Sequence, residues 1–302
     1  ILMEISHVLR GDYHLTNTVN QILLYHAFGK PVQLFWHLPL ICNSAGKKLS
    51  KRDFGFSLVD LQKAGFLPQA ITNYLGILGA SFTEEILPLD VLAQTANFDQ
   101  IHSAGQIKYD VKKLEWLNHK WLGRLSIPDL VELCQPYLTA AHPDQVANLT
   151  PALISKLVQL VHTDLIKLSD IVPQTKFYFS RPDFTDLPLG LTPELRELFQ
   201  AFINLLEIAI PACAHSPRSS RVEHSAIEGC CGVLANYMPP AELLSALQTT
   251  ARTLNIPAKS YFPVLRTILT GQPTGPHVPE IIALLGYAET AARLQLALVT
   301  TP

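Results

Sequence analysis

The sequence predicts an α/β region followed by an all-α region, and three observations carry that expectation. Strand-like apolar segments near residues 7–10 and 32–36 bracket a polar turn and a helical periodicity, which is the pattern of a βαβ unit. Lys47-Lys48-Leu49-Ser50-Lys51-Arg52 then packs four cations and a hydroxyl into six residues. Beyond residue 127 the apolar residues recur at threes and fours, the period of helices packed into bundles.

The first element is read at His7-Val8-Leu9-Arg10-Gly11, and it runs into the polar turn Asp12-Tyr13-His14. Ile22, Leu23, Tyr25, Ala27 and Phe28 follow with helical spacing, and Thr16, Asn17 or Thr18 is expected as the N-cap. A second strand is expected at residues 32–36, after which His37-Leu38-Pro39-Leu40-Ile41 leads directly into the cationic loop. A crossover that brings polar side chains and such a loop to one sheet edge is a common way to build a nucleotide site. Ammonium groups on flexible stems reach phosphate oxygens, while the hydroxyl of Ser50 and the loop amides add hydrogen bonds. Gly46 and Gly55 let the loop fold over a ligand and open again. The plain alternative is a solvated basic loop.

Residues 48–127 mix short strands and helices. Helical blocks follow at Leu130-Val131-Leu133-Cys134, after a cap at Ser126, and at Leu153-Leu157-Val158-Leu160-Val161, after the cap Thr150-Pro151. A second helical region is marked by Leu198-Phe199-Phe202-Leu205-Leu206, Leu243-Leu244-Leu247 and Ile281-Ile282-Leu284-Leu285.

Composition sets limits. With 302 residues and 48% hydrophobic content there is material for two or three cores, and the 22 prolines punctuate helices without forming a linker. No apolar run is long enough to cross a bilayer, and no signal peptide is visible, so a cytoplasmic protein without a membrane partner is expected. Five cysteines without CxxC spacing read as free thiols, with Cys230-Cys231 read as core; eleven scattered histidines give no metal-ligand spacing, so no metal site is assigned. Net charge is −2, yet residues 108–124 hold five cations against two acids, interleaved with Tyr109, Trp116 and Trp121. One basic face is enough for phosphate-backbone affinity. Lys112, Lys113, His119, Lys120 and Arg124 are therefore candidate RNA contacts, whereas Trp116 and Leu117 are expected in the core.

The order and spacing of Arg10-Gly11-Asp12-x-His14-Leu15-x-Asn17-Thr18, His37-Leu38-Pro39-Leu40-Ile41 and Lys48-Leu49-Ser50-Lys51-Arg52 resemble the second half of the catalytic domain of bacterial glutamyl-tRNA synthetases. Residues 48–52 stand in the place of the class I KMSKS loop. Ala64-Gly65-Phe66-Leu67-Pro68-Gln69-Ala70-Ile71-Thr72-Asn73-Tyr74-Leu75, Phe177-Tyr178-Phe179, the run from Phe262 to Gly271, and Leu284-Leu285-Gly286 extend the resemblance over almost the whole chain; residues 212–237 have no counterpart. It implies four regions: the end of a Rossmann-like catalytic domain at 1–47, a stem-contact fold at 48–127, and two helical anticodon-binding subdomains at 128–205 and 206–302. No His-x-Gly-His occurs, and the chain opens in mid-pattern at Ile1, so a C-terminal fragment inactive by itself is expected.

What the resemblance implies is a ligase that joins glutamate to tRNA-Glu through glutamyl-adenylate, using ATP and Mg²⁺, as a monomer, with tRNA-Gln left open as a second acceptor. Lys48, Ser50, Lys51 and Arg52 would serve the phosphates, and Arg10 would pair with substrate glutamate, or else form a structural ion pair with Asp12. Tyr13, Leu40, Ile41 and residues 48–52 would line the ATP, with Tyr13 standing where the family usually carries an acid. Two other classes stay open: a non-catalytic tRNA-binding fragment or paralogue, and an unrelated nucleotide-binding helical scaffold.

Overall fold

A computed structural model describes residues 2–43, 45–49, 57–78, 80–95, 97, 106–184, 189–209 and 238–301, with the side chain of Gln106 left aside. Ser50, Lys51, Arg52, Cys213, Cys230, Cys231 and the 212–237 stretch lie outside the described residues. The chain divides into two compact units, residues 1–126 with 165–170, and residues 127–164 with 171–302.

In the first unit, β1 (His7–Gly11) pairs in parallel with β2 (Leu34–Leu38), so that Arg10 stands opposite His37. The crossover is α1 (Leu15–Ala27), entered through the 3₁₀ turn Asp12–His14. The βαβ expectation holds, with two adjustments. Strand β2 lies two residues later than its apolar run suggests, after Lys30-Pro31, and Leu34 N–H joins Ser6 O at 3.0 Å. Helix α1 has no side-chain cap, because the 3₁₀ turn feeds straight into it at His14 and places Thr18 inside the helix. Leu15, Val19, Leu23 and Leu24 of α1 are exposed.

Strand β3 (Leu40–Cys42) pairs in parallel with β4 (Gln106–Lys108). Between them come α2 (Leu58–Ala64), α3 (Pro68–Ile77) and α4 (Leu89–Thr95), and after β4 comes α5 (Val111–Leu122). Leu61, Phe66, Tyr74, Leu114 and Leu117 form the core that binds α2, α3 and α5 together. Helix α2 ends at Gly65, whose φ of +88° only glycine adopts without strain, and a Cβ there would stand 2.6 Å from Ser169 N. This close approach seats residues 165–170: Leu168 N–H meets Gly65 O at 3.0 Å and Ser169 Oγ donates to Ala64 O at 2.8 Å.

The second unit is helical: α6 (Ile127–Ala141), α7 (Pro143–Val146), α8 (Pro151–Val161), α9 (Ile171–Phe179), α10 (Pro193–Ala209), α11 (Pro240–Thr253), α12 (Ala258–Thr270), α13 (Val278–Leu285) and α14 (Tyr287–Thr300). Helix α6 begins directly after Ser126, and α8 has the expected cap, Thr150 Oγ1 accepting from Leu153 N–H at 3.3 Å with Pro151 at the first helical position. The core runs from Phe177 through Leu198, Phe199, Phe202, Leu243, Leu247, Leu265, Ile268, Ile281 and Leu294, which absorbs the apolar triplets read in the sequence. Among the described residues no single helix is long and apolar enough to cross a membrane.

Candidate functional site

The site begins at the end of β1. Arg10 is half-buried, and its Nη2 donates to Thr18 Oγ1 one turn into α1. Thr18 is buried; its hydroxyl shares a hydrogen bond with His37 Nε2 at 2.8 Å and donates to His14 O at 3.1 Å. The guanidinium also lies over the Phe35 ring, 5.0 Å from its centroid, a cation–π contact from the neighbouring strand. Its Nε is buried without a hydrogen-bond partner. No ion pair joins Arg10 to Asp12 among the described residues. The guanidinium is thus oriented by a hydroxyl and a ring, and no acid among the described residues compensates its charge, a state suited to a carboxylate ligand.

Across from it the cationic loop starts as a hairpin on β3. Asn43 organises the turn: its Oδ1 accepts from Ala45 N–H and Lys47 N–H, both at 3.1 Å, while Gly46 takes a φ of +76°. Lys47 O accepts from Asn43 N–H at 2.8 Å, Leu49 N–H donates to Ile41 O at 3.1 Å, and Cys42 bridges Lys48. The first limb of the loop is therefore pinned beside Leu40 and Ile41, both half-buried. Lys48 Nζ sits 4.7 Å from the ring centroid of Tyr13, which is 61% exposed. Lys48 thus reaches Tyr13 in the turn that follows Arg10, whereas Leu40 and Ile41 lie on the second sheet beside the loop.

The second candidate set lies on α5. Asp110 caps the helix, accepting from the backbone N–H of Lys112 and Lys113 at 2.9 and 3.2 Å. Lys112, Lys120 and Arg124 are exposed, and Lys113 forms an ion pair with Glu85. His119 goes elsewhere, its Nδ1 meeting Leu165 O at 2.8 Å, where it holds residues 165–170. Leu117 is buried as expected, but Trp116 is not: it is 38% exposed. The helix buries the stripe Leu114, Leu117, Asn118 and Leu122, and position 116 falls on the far side with Lys113 and Lys120.

Residues 1–116 match the family described as tRNA synthetases class I (E and Q), catalytic domain, and residues 232–298 match an anticodon binding domain. The chain is thus similar to class I tRNA synthetases (E and Q) over its first 116 residues. It is 44% identical over 180 residues to the glutamate–tRNA ligase of Picosynechococcus sp., covering 59% of this chain and 37% of that one. With glutamate–tRNA ligase 1 of Fervidobacterium nodosum the match runs over 299 residues at 29% identity, 98% of this chain and 56% of the relative. The chain thus spans between about a third and somewhat over half the length of these two relatives. A crystal structure of a glutamate tRNA ligase from Elizabethkingia meningosepticum in complex with its amino acid has the same fold, with a TM-score of 0.76 at 24% identity over 99% of this chain and 58% of that one.

Sequence reading missed three contributors to this site. Thr18 and His37 stood inside quoted motifs but their pairing needs the β1–β2 register, and Asn43 looked like an ordinary entry to the loop. A polar residue followed by a glycine three positions on, as at Asn43 and Gly46, is the signal that marks such a turn.

Proposed function

We propose that the chain serves ATP-dependent attachment of glutamate to tRNA-Glu, through glutamyl-adenylate. The observation that carries this is Lys48 of the basic loop seated on Tyr13, in the turn that follows Arg10, with Arg10 held by Thr18 and paired to no acid among the described residues. In this reading Arg10 receives a substrate carboxylate. The α-carboxylate of glutamate attacks the α-phosphorus of ATP, the bond to the bridging oxygen breaks, and pyrophosphate leaves; a hydroxyl of the terminal ribose of the tRNA then attacks the acyl carbon, the acyl–phosphate bond breaks, and AMP leaves. No protein nucleophile is needed, so the protein contributes position and charge. Lys48 parks on Tyr13 and can move to the departing phosphates, joined by Ser50, Lys51 and Arg52. Leu40 and Ile41 form the apolar flank of the nucleotide. Magnesium would come with the ATP phosphates: among the described residues no three His, Cys, Asp or Glu side chains gather to hold an ion, and no step is assigned to it.

The exposed cations of α5 supply backbone contacts to tRNA, and the helical unit contains the region similar to an anticodon binding domain. The test is glutamate-dependent exchange of pyrophosphate into ATP, measured on this chain completed to the length of its relatives because the chain by itself is expected to be inactive, with tRNA-Glu binding measured beside it. Exchange with glutamate but not glutamine, lowered about 100- to 1000-fold by Lys51→Ala, supports ligation. The absence of an acid at Tyr13 favours a second reading, a tRNA-binding chain without activation, and salt-dependent tRNA binding without exchange would select it. Neither exchange nor tRNA binding would reject both.

A further inference from the structure

Trp116 is an expensive residue to leave in solvent. A buried indole contributes a large apolar area, and on α5 the neighbouring stripe of Leu114, Leu117 and Leu122 shows that a core is at hand. Instead the ring stands on the outer stripe between two lysines, with Lys113 Nζ 4.8 Å and Lys120 Nζ 5.9 Å from its centroid. The two lysines are not equivalent. Lys113 is held by Glu85, whereas Lys120, like Lys112 and Arg124, makes no ion pair among the described residues. One cation is fixed beside the ring and the other is free to leave it.

We propose that Trp116 is a stacking platform for an unpaired base of the bound tRNA, with Lys120 moving from the ring to the phosphate beside that base. This rests on the reading of α5 as a tRNA-contact face, and goes further by giving that face a base contact. Lysines alone would serve a duplex backbone, which offers no bare base face. An exposed ring adds something only where a flat, unstacked partner is presented, and single-stranded RNA segments present such bases. An acidic protein segment would satisfy the lysines and leave the indole without use.

The test is titration of the chain with tRNA-Glu at low and moderate salt, for wild type, Trp116→Leu, Trp116→Phe and Lys120→Gln. Because Trp116 is outside the core, the variants should fold, and thermal melts check this. Stacking predicts affinity about 5- to 100-fold weaker for Trp116→Leu at an unchanged salt slope, and largely restored by Trp116→Phe. Lys120→Gln should lower the slope of log affinity against log salt by about 0.7–0.9, one phosphate contact. Wild-type tryptophan emission should be quenched on saturation, and much of that quenching should be missing in Trp116→Phe. If Trp116→Leu binds as wild type does while Lys112→Glu weakens binding, the RNA face stands and the stack is refuted. Polyglutamate displacing tRNA equally well from wild type and Trp116→Leu would also refute it. Absence of any tRNA binding by wild type would remove the face and the stack together.

Discussion

Replacing Arg293 with methionine asks how much of the helical unit hangs on one buried guanidinium. Arg293 is 2% exposed, and its Nε donates to Glu289 Oε1 at 2.9 Å, its Nη2 to Phe177 O at 2.7 Å and its Nη1 to Leu269 O. Phe177 and Leu269 lie in the last turns of α9 and α12, where carbonyls have no partner within their own helix. One side chain on α14 therefore ties off the ends of two helices. Methionine fills similar space and donates nothing. Two buried carbonyls then lose a charged donor at about 1–3 kcal/mol each, partly offset because no charge has to be desolvated. Glu289 keeps Arg181, whose Nε and Nη2 reach its two oxygens at 2.8 and 2.7 Å, so that part of the loss is small. The expected destabilisation is about 2–4 kcal/mol, or about 5–15 °C in the melting of a unit this size. Guanidinium chloride unfolding followed by far-ultraviolet circular dichroism should show a lower midpoint at constant slope. A variant within about 0.5 kcal/mol of wild type would refute the double-cap argument.

The same cluster sets an acid limit. Burial pushes the Glu289 carboxyl up, but the hydrogen bonds from Arg181 and Arg293 outweigh it and hold the group below its ordinary value. A carboxylate depressed in the folded state stabilises fully above its unfolded value, about pH 4.3, and loses that contribution as pH falls through the folded value. Stability of the helical unit should therefore drop below about pH 5, and Glu289→Gln should flatten that fall.

Three further outcomes follow from the first unit. Asn118→Leu removes the acceptor of Leu67 N–H (2.8 Å) and the donor to Ile166 O (2.6 Å) at a fully buried position, and should cost about 2–4 kcal/mol in urea unfolding. Gly65→Ala meets both a φ of +88° and the Ser169 backbone, and should cost more than 1 kcal/mol, with proteolysis of residues 165–170 as the readout. Thr18→Val releases the Arg10 guanidinium, so in pyrophosphate exchange by the chain completed to the length of its relatives the glutamate KM should rise about 10- to 100-fold with the ATP KM unchanged and Thr18→Ser near wild type.

Local signals in the sequence were reliable wherever the deciding contact is local. Thr150-Pro151 starts α8 because cap and first turn lie within four residues, and the βαβ unit was legible because periods of 3.6 and 2 differ over a dozen positions. Where a long-range contact decides, the sequence misled. Thr18 has the chemistry of a cap, yet its hydroxyl serves Arg10 and His37, a choice made by strand register. Trp116 has the chemistry of a core residue, and one helical step from Leu117 puts it outside. His119 looked like a phosphate ligand among lysines, but Leu165 O, 46 residues away, takes its Nδ1. The basic loop was legible as composition, and its second half from Ser50 to Arg52 lies outside the described residues.

Tyr13 bears on what the site can do with its charges. A carboxylate at that position would pair with Lys48, and an exposed pair is worth about 0–1 kcal/mol. The tyrosine ring gives Lys48 Nζ a cation–π seat at 4.7 Å, worth about 0.5–1 kcal/mol at an exposed site, so the resting position of the loop is held about as well either way. The difference lies in the field. A carboxylate would cancel the Lys48 charge and repel a triphosphate, whereas the neutral ring leaves that charge whole while seating it beside the turn that follows β1. Arg10 is likewise uncancelled, since its partners are a hydroxyl and a ring. Among the described residues Arg10 and Lys48 are thus two cations held by neutral groups, a state that favours an anionic ligand at each of them.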